Sequence, residues 1–346
     1  MSGTSLDGID VAVVELRGRR ITTLGFRSTP YPQALRGGLL RPLDAERISR
    51  LNFGLGKRYA FAVLEAIKRF GPVDLVGCHG QTIYHRGRVH TLQIGEPAVI
   101  RELTGVPVVS NFRSRDIAAG GEGAPLVPFV DYWLFRHPTR TRVALNIGGI
   151  ANVTIIPPSA KPEDVIAFDT GPGNMVIDAL AFESTHGRQS FDRDGRIAGS
   201  SHVNRTLLSR LLKDAYYNKR GPKSAGREQY GVDFVKRMKK FEPSLENLIA
   251  TATALTAATI ARALRGIPGD LIVSGGGVHN RQLMAEIAAF LPQMHVATSA
   301  DYGIDPDAKE AIAFAVLAYE TWHGRPANLP SATGARHNVV LGSITR

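Results

Sequence analysis

Short β-branched runs and stretches with helical apolar spacing alternate along the whole chain, and this alternation limits the fold more than any other feature. The β-runs fall at 10–16, 21–27, 73–78, 106–110, 143–147, 153–156, 165–168, 271–274 and 295–298. Helical spacing covers 47–70, 126–135, 174–182, 202–217, 244–264, 281–291 and 307–322. Strands interleaved with helices read as an α/β architecture. At 346 residues the chain has material for about two domains. No low-complexity linker divides it. The expected break lies in the run A-A-G-G-E-G at 118–123, with 1–120 plus 310–346 as one domain and 121–309 as the other.

The composition excludes several classes. With one cysteine, Cys78, neither an internal disulfide framework nor a cysteine-built zinc or iron–sulfur cluster is possible. The longest uncharged alanine-rich stretch, 247–261, is shorter than the roughly 20 residues of a membrane span. The first 25 residues already carry Asp7, Asp10, Glu15 and the basic cluster Arg17–Gly18–Arg19–Arg20 and show no apolar h-region, so no signal peptide is visible and a cytoplasmic protein is expected. Lys plus Arg exceed Asp plus Glu by 42 − 31, a formal net charge of +11. The densest basic stretch, 213–240, includes an apparent helix at 231–241 and reads as a solvated face. No nucleic-acid-binding motif accompanies it.

Familiar catalytic signatures are missing. There is no Walker P-loop, no G-x-G-x-x-G, no G-x-S-x-G and no H-E-x-x-H. Four glycine-rich turns with embedded polar residues are present instead, at 2–8, 146–149, 169–174 and 274–277. Glycine lets backbone N–H groups approach a ligand, and anions favour such nests. Four in one chain point to a nucleotide. Two of them also echo each other: a polar glycine turn followed by a β-run occurs at 1–16 and at 145–156, which suggests a duplicated architecture.

The strings M-S-G-T-S-L-D-G-I-D at 1–10, C-H-G-Q-T-I-Y-H at 78–85 and N-F-R-S-R-D-I-A-A-G-G-E-G-A-P-L-V-P at 111–128 occur in one order with L-N-I-G-G-I-A-N-V-T at 145–154 and F-D-T-G-P-G-N at 168–174. They are followed by F-D-R-D-G at 191–195, R-G-P-K-S-A-G-R-E at 220–228 and S-G-G-G-V-H-N at 274–280. Taken together, this set resembles the anhydro-N-acetylmuramic acid kinases over nearly the whole chain. The resemblance implies the two-domain ASKHA fold (actin-like ATPase, ribonuclease H-like), with a nucleotide cleft between the domains. It also implies a reaction with ATP and Mg²⁺. The 1,6-anhydro ring of 1,6-anhydro-N-acetylmuramate is opened by water and the sugar is phosphorylated to N-acetylmuramate 6-phosphate, in peptidoglycan recycling. The implied partner is that small molecule, without nucleic acid or membrane; a homodimer stays open.

The resemblance also implies residue roles. Asp169 is the base for water, against the plainer reading of a turn starter. Glu310 is a carboxylate near the site, although Asp307-x-x-Glu310 is also capping-box spacing. Gly3, Thr4, Ser5, Leu6, Asp7, Gly8, Ile9 and Asp10 form a γ-phosphate turn, with Asp10 holding Mg²⁺, through water or directly. Asn146, Gly148 and Gly149 form a second phosphate turn. Gly275, Gly276 and Gly277 lie on the adenosine side. His79, Gln81, Thr82, Arg113, Arg115 and Asp116 lie near the sugar.

One departure stands out. In the family a β-run precedes the M-S-G-T-S string, and here Met1 opens that string. The expectation is a start assigned too late, the alternative a protein lacking an inner strand. The rival function is a non-catalytic actin-like regulator using the basic 213–240 region.

Overall fold

The computed structural model describes residues 1–346 except Thr4, Ser5, Asp7, Arg19 and 220–222. By contacts the chain forms two units, Met1–Leu134 with Ala308–Arg346, and Phe135–Asp307. The run at 118–123 is not the break. Asp116 ties it into the first unit by accepting from the N–H of Gly123 and from Asn328 and Thr333, each at 2.8 Å.

In the second unit, strands β7 (Arg142–Ile147), β8 (Ile150–Ile156), β9 (Ile166–Pro172), β10 (Gly269–Ser274) and β11 (Met294–Thr298) form one sheet. Its order is β11-β10-β7-β8-β9, with β7 antiparallel to β8 and parallel to β10. β7 therefore occupies the centre. Helix Leu245–Ala263 covers the sheet. Ser244 caps it by accepting from the N–H of Asn247 at 3.2 Å, and Leu248, Leu255 and Ile260 are fully buried. The fully buried Val143, Leu145 and Ile147 of β7 pack with Ile260 and Leu271 in one cluster. Their strict alternation along β7 marks the face that the helix covers.

The first unit holds strands β1 (Gly8–Arg17), β2 (Arg20–Pro30), β3 (Val76–Gly77), β4 (Gln81–Arg86), β5 (His90–Ile94), β6 (Val108–Ser110) and β12 (Ser343–Thr345). They form an antiparallel β1–β2 hairpin, a separate β12-β6-β3 sheet and a β4–β5 hairpin. Helix Ala45–Phe70, capped by Asp44, and helix Lys309–Trp322 both pack on β1. Several elements were not legible in the sequence. These are the β4–β5 hairpin, helix Pro97–Thr104 and strand β12. The segment expected as one helix at 202–217 is two pieces, Arg205–Leu211 and the 3₁₀ turn Ala215–Asn218, with Asn204 and Asp214 capping them. The basic helix, Val232–Lys239, buries Phe234, Val235 and Met238 and turns its lysines outward. No helix among the described residues is long and apolar enough to cross a membrane.

Candidate active site

In the second unit, Asp169 lies inside β9 rather than at its end, since the strand runs on to Pro172. It is opposite Asn152, where the register shifts between Ala151 and Asn152, so a bulge aims this side chain. The 223–225 segment closes on it from two sides. The Asp169 N–H donates to the Lys223 carbonyl at 2.9 Å, and its Oδ2 accepts from the Ala225 N–H at 2.8 Å. Tyr216 donates to the Asp169 carbonyl oxygen at 2.9 Å. Lys223 Nζ donates to the Tyr216 carbonyl and sits 4.5 Å from the centre of that ring. Desolvation pushes the Asp169 carboxyl up to about 6, against the Ala225 N–H and the Lys223 charge, which pull it down. Sequence reasoning left Lys223 without a role and overlooked Tyr216 and Ala225. The string R-G-P-K-S-A-G-R-E, whose first three residues lie outside the described ones, carries Lys223 and Ala225, whereas Tyr216 lies before it and belongs to none of the motifs.

The glycine turns of this unit meet at the ends of the adjacent parallel strands β7 and β10. Ligands of open α/β sheets bind at such strand ends. Gly149 and Gly276 are exposed there. Gly275 has φ +81°, and a Cβ on it would lie 2.7 Å from Asn146 Oδ1. Gly277 belongs to packing, because a Cβ would lie 2.3 Å from Ile147 Cγ2. The turn at 169–174 differs from expectation. The amides of Gly173 and Asn174 do not point outward; they donate to the carbonyls of Gly149 and Gly148 at 2.9 and 2.8 Å. The second turn is thereby clamped onto the start of helix Asn174–Ser184, and Asn174 adds a bond to the Ile147 carbonyl at 3.3 Å.

In the first unit, His79 and Arg113 form the central pair. His79 Nδ1 is 2.8 Å from the Gly80 carbonyl, which can only accept, so Nδ1 carries the proton. Nε2 then accepts from Arg113 Nε and Nη2 at 3.1 and 2.9 Å. Burial first, and the Arg113 charge second, lower His79 to about 3, which fixes it neutral. Arg113 Nη1 reaches the Gly123 carbonyl at 2.8 Å, and desolvation brings the guanidinium down to about 10, opposed by Glu310.

Glu310 stands in the first turn of helix Lys309–Trp322. No side chain caps that helix, and Asp307 gives its carboxylate to His279 at 2.9 Å, so the capping-box reading fails. Glu310 is open to solvent, yet protein crowds its carboxyl. That desolvation raises its pKa and Asp10 adds to it, while Lys309, Arg113 and the Met1 amine oppose.

The remaining expected residues divide into two groups. Thr82 accepts from Gln93 at 3.3 Å, and Arg115 is exposed on helix Ser114–Ala118. Gln81 and Asp116 are fully buried and serve protein groups, contrary to the expected sugar contacts. Gln81 donates to the Gly3 carbonyl at 3.1 Å and accepts from Tyr31 at 3.3 Å, and Tyr31 joins Tyr59 and Ser2 in a buried hydroxyl chain. This chain, which no motif announced, holds the first turn from beneath. In that turn, Leu6 has φ +59° and its N–H donates to the Gly3 carbonyl at 3.3 Å. Gly8 is demanded by the hairpin, since a Cβ would lie 2.3 Å from the Thr29 carbonyl oxygen, and the Ile9 side chain is core. Thr4, Ser5 and Asp7 lie outside the described residues. Among the described residues, no three His, Cys, Asp or Glu side chains gather as a metal cage.

The family model for anhydro-N-acetylmuramic acid kinase matches residues 1–346. The chain belongs to the anhydro-N-acetylmuramic acid kinase family. Curated members of the family include a protein of Caldanaerobacter subterraneus, 45% identical over 100% of this chain and 95% of its own length. Others are from Salinibacter ruber, 44% identical over 100% and 94%, and Bacillus cereus, 44% identical over 100% and 97%. Among solved structures, a ROK family glucokinase from Streptomyces griseus in complex with glucose and AMPPNP is 11% identical with a TM-score of 0.39, covering 90% of this chain and 99% of its own. Membership of a kinase family displaces the reading of a non-catalytic regulator.

Proposed function

We propose that the chain opens the 1,6-anhydro ring of 1,6-anhydro-N-acetylmuramate with water and transfers the γ-phosphoryl group of ATP to the freed 6-oxygen. The products are N-acetylmuramate 6-phosphate and ADP, in cytoplasmic recycling of the cell wall. One observation carries the reading. Asp169 is a carboxylate aimed by a bulge, with one oxygen bound to the Ala225 N–H and a pKa raised to about 6. It is charged at neutral pH and still basic enough to take a proton.

The step balances without further reactants. Asp169 accepts a proton from water, and the hydroxyl oxygen bonds to the anomeric carbon as the bond to the 6-oxygen breaks. The 6-oxygen then takes the γ-phosphoryl group and ADP leaves. The leaving group is also the phosphoryl acceptor, so one carboxylate base suffices. The proton on Asp169 returns to solvent after turnover.

In the first unit, neutral His79 keeps Arg113 oriented while leaving it charged, and Arg113 suits the lactyl carboxylate of the sugar. Gln81 and Asp116 act as positioning residues, one for the 3–8 turn and one for the 118–123 loop. In the second unit, the backbone at Gly148, Gly149, Gly275 and Gly276 suits ATP. Mg²⁺ is usually held by one or two carboxylates together with phosphates and water, and Asp10 with Glu310 would supply the carboxylates here. The ion would supply charge neutralisation for phosphoryl transfer.

Reaction in ¹⁸O-labelled water tests the assignment. The sugar phosphate should carry one label at the anomeric hydroxyl, read before exchange, and none in the phosphoryl group. Label in the phosphoryl group would mean ATP hydrolysis or a phosphoenzyme and would overturn the mechanism.

A further inference from the structure

Helix Lys309–Trp322 opens on a lysine that is almost fully buried. Lys309 is 2% exposed, and its Nζ lies 2.7 Å from Oδ1 of Asp131, itself 3% exposed, on helix Val127–Phe135. Local helix energetics do not call for this arrangement. A cation in the first turn opposes the helix dipole, and an ion pair taken out of water loses hydration that its own attraction only partly returns. The surroundings are apolar. Val130 and Trp133 of one helix share a buried cluster with Ala313, Phe314, Val316 and Leu317 of the other.

Helical geometry shows what the pair controls. Residues four apart share a face, and consecutive residues are turned about 100° from each other. One row runs through Glu310, Phe314 and Ala318, and its last two members lie on His79 and β3. The Phe314 ring is 4.6 Å from the His79 ring, and a Cβ on Gly77 would lie 2.5 Å from the Phe314 carbonyl oxygen and 2.9 Å from Ala318 Cβ. At the head of the row, the Glu310 carboxyl feels the charges of Asp10 and Arg113. The neighbouring row starts at Lys309 and is tied to helix Val127–Phe135 by the ion pair. Apolar contacts hold the helix down but are non-directional. In the first turn, which no side chain caps, the ion pair supplies a directional contact. With side chains about 5–6 Å from the axis, a rotation of about 20° would carry the Glu310 carboxylate about 2 Å.

We infer that Asp131 and Lys309 are positioning residues for the reaction, fixing the rotation of the first helical turn so that Glu310 is held toward Asp10 and Arg113. The inference rests on the proposed function, in which Glu310 takes part. Misplacing a group at a reaction centre by about 1 Å costs about 10²-fold in rate, so a buried pair one residue away governs turnover. The same demand explains why two charges are kept where apolar side chains of similar volume would pack without loss of stability.

The test replaces both partners at once, because removing one would strand a buried charge. Lys309→Met with Asp131→Leu keeps the side-chain volumes similar. This variant of the full chain should melt within about 5 °C of the parent, since apolar replacement of a buried pair is close to neutral. Its kcat, read by ADP release, should nevertheless fall at least about tenfold. In a Glu310→Gln background the same replacement should lower kcat by no more than about threefold further, because its effect passes through that carboxylate. A larger drop in melting temperature would make the pair structural and overturn the inference. A smaller fall in kcat, or a larger further loss in the Glu310→Gln background, would overturn it too, with the role of Glu310 left standing. Parental kcat in Glu310→Gln alone would remove Glu310 from the reaction and overturn both.

Discussion

Replacing Asp169 by Asn separates what this carboxylate does for catalysis from what it costs the fold. Asparagine keeps an oxygen that can accept the Ala225 N–H, so the 223–225 segment retains its anchor, but it cannot take a proton. The carboxyl is raised from 3.8 to about 6 by desolvation. A raised folded-state pKa means that the native protein holds its proton more tightly than the unfolded chain. The associated stability is therefore complete below about pH 4 and is lost as pH rises through about 6. Two pH units correspond to at most about 3 kcal/mol of native-state cost at neutral pH. The Asn variant is free of that cost. It should denature at higher urea concentration than the parent at about pH 8 and show no gain at about pH 4. Its turnover should fall by about 10²- to 10⁴-fold, the usual effect of losing a general base. Parental kcat/KM should itself decline below about pH 6, tenfold per pH unit, as the base is protonated. The assay pairs urea denaturation at the two pH values with ADP release across the pH range. Near-parental turnover in the variant would remove Asp169 from the reaction. A variant less stable than the parent at both pH values would refute the desolvation argument.

Three further outcomes follow from the geometry. Lys223→Met removes a charge that lowers the Asp169 pKa, so the midpoint of the acidic limb of kcat/KM should move to higher pH, read from the pH profile. Arg113→Met should raise the sugar KM by about 10- to 100-fold, the scale of a hydrogen bond between charged groups, with the KM for ATP nearly unchanged in steady-state kinetics. Gly173→Ala puts a Cβ 2.3 Å from the Gly148 carbonyl oxygen and should force the clamped turns apart, lowering stability by about 1–3 kcal/mol by urea denaturation and weakening ATP binding by calorimetry.

The alternating β-runs and helical stretches sufficed for the fold class, because strand and helix periodicities are local properties of the chain. The motif set sufficed for the family, and it singled out Asp169 and the glycine turns. What those residues touch depended on segments far away in sequence. Asp169 is tuned by Ala225 and Lys223, more than fifty residues on, and Asp116 is satisfied by Asn328 and Thr333, more than two hundred on. No local pattern records such contacts. A buried polar group must find partners wherever the fold brings them, and the same residue type is ligand contact or scaffold accordingly. The turn at 169–174 makes the point at the backbone level. Its glycines were visible from the sequence, but only the docking of the 148–149 turn on the start of helix Asn174–Ser184 decided that the Gly173 and Asn174 amides bond inward to Gly149 and Gly148 rather than to a ligand.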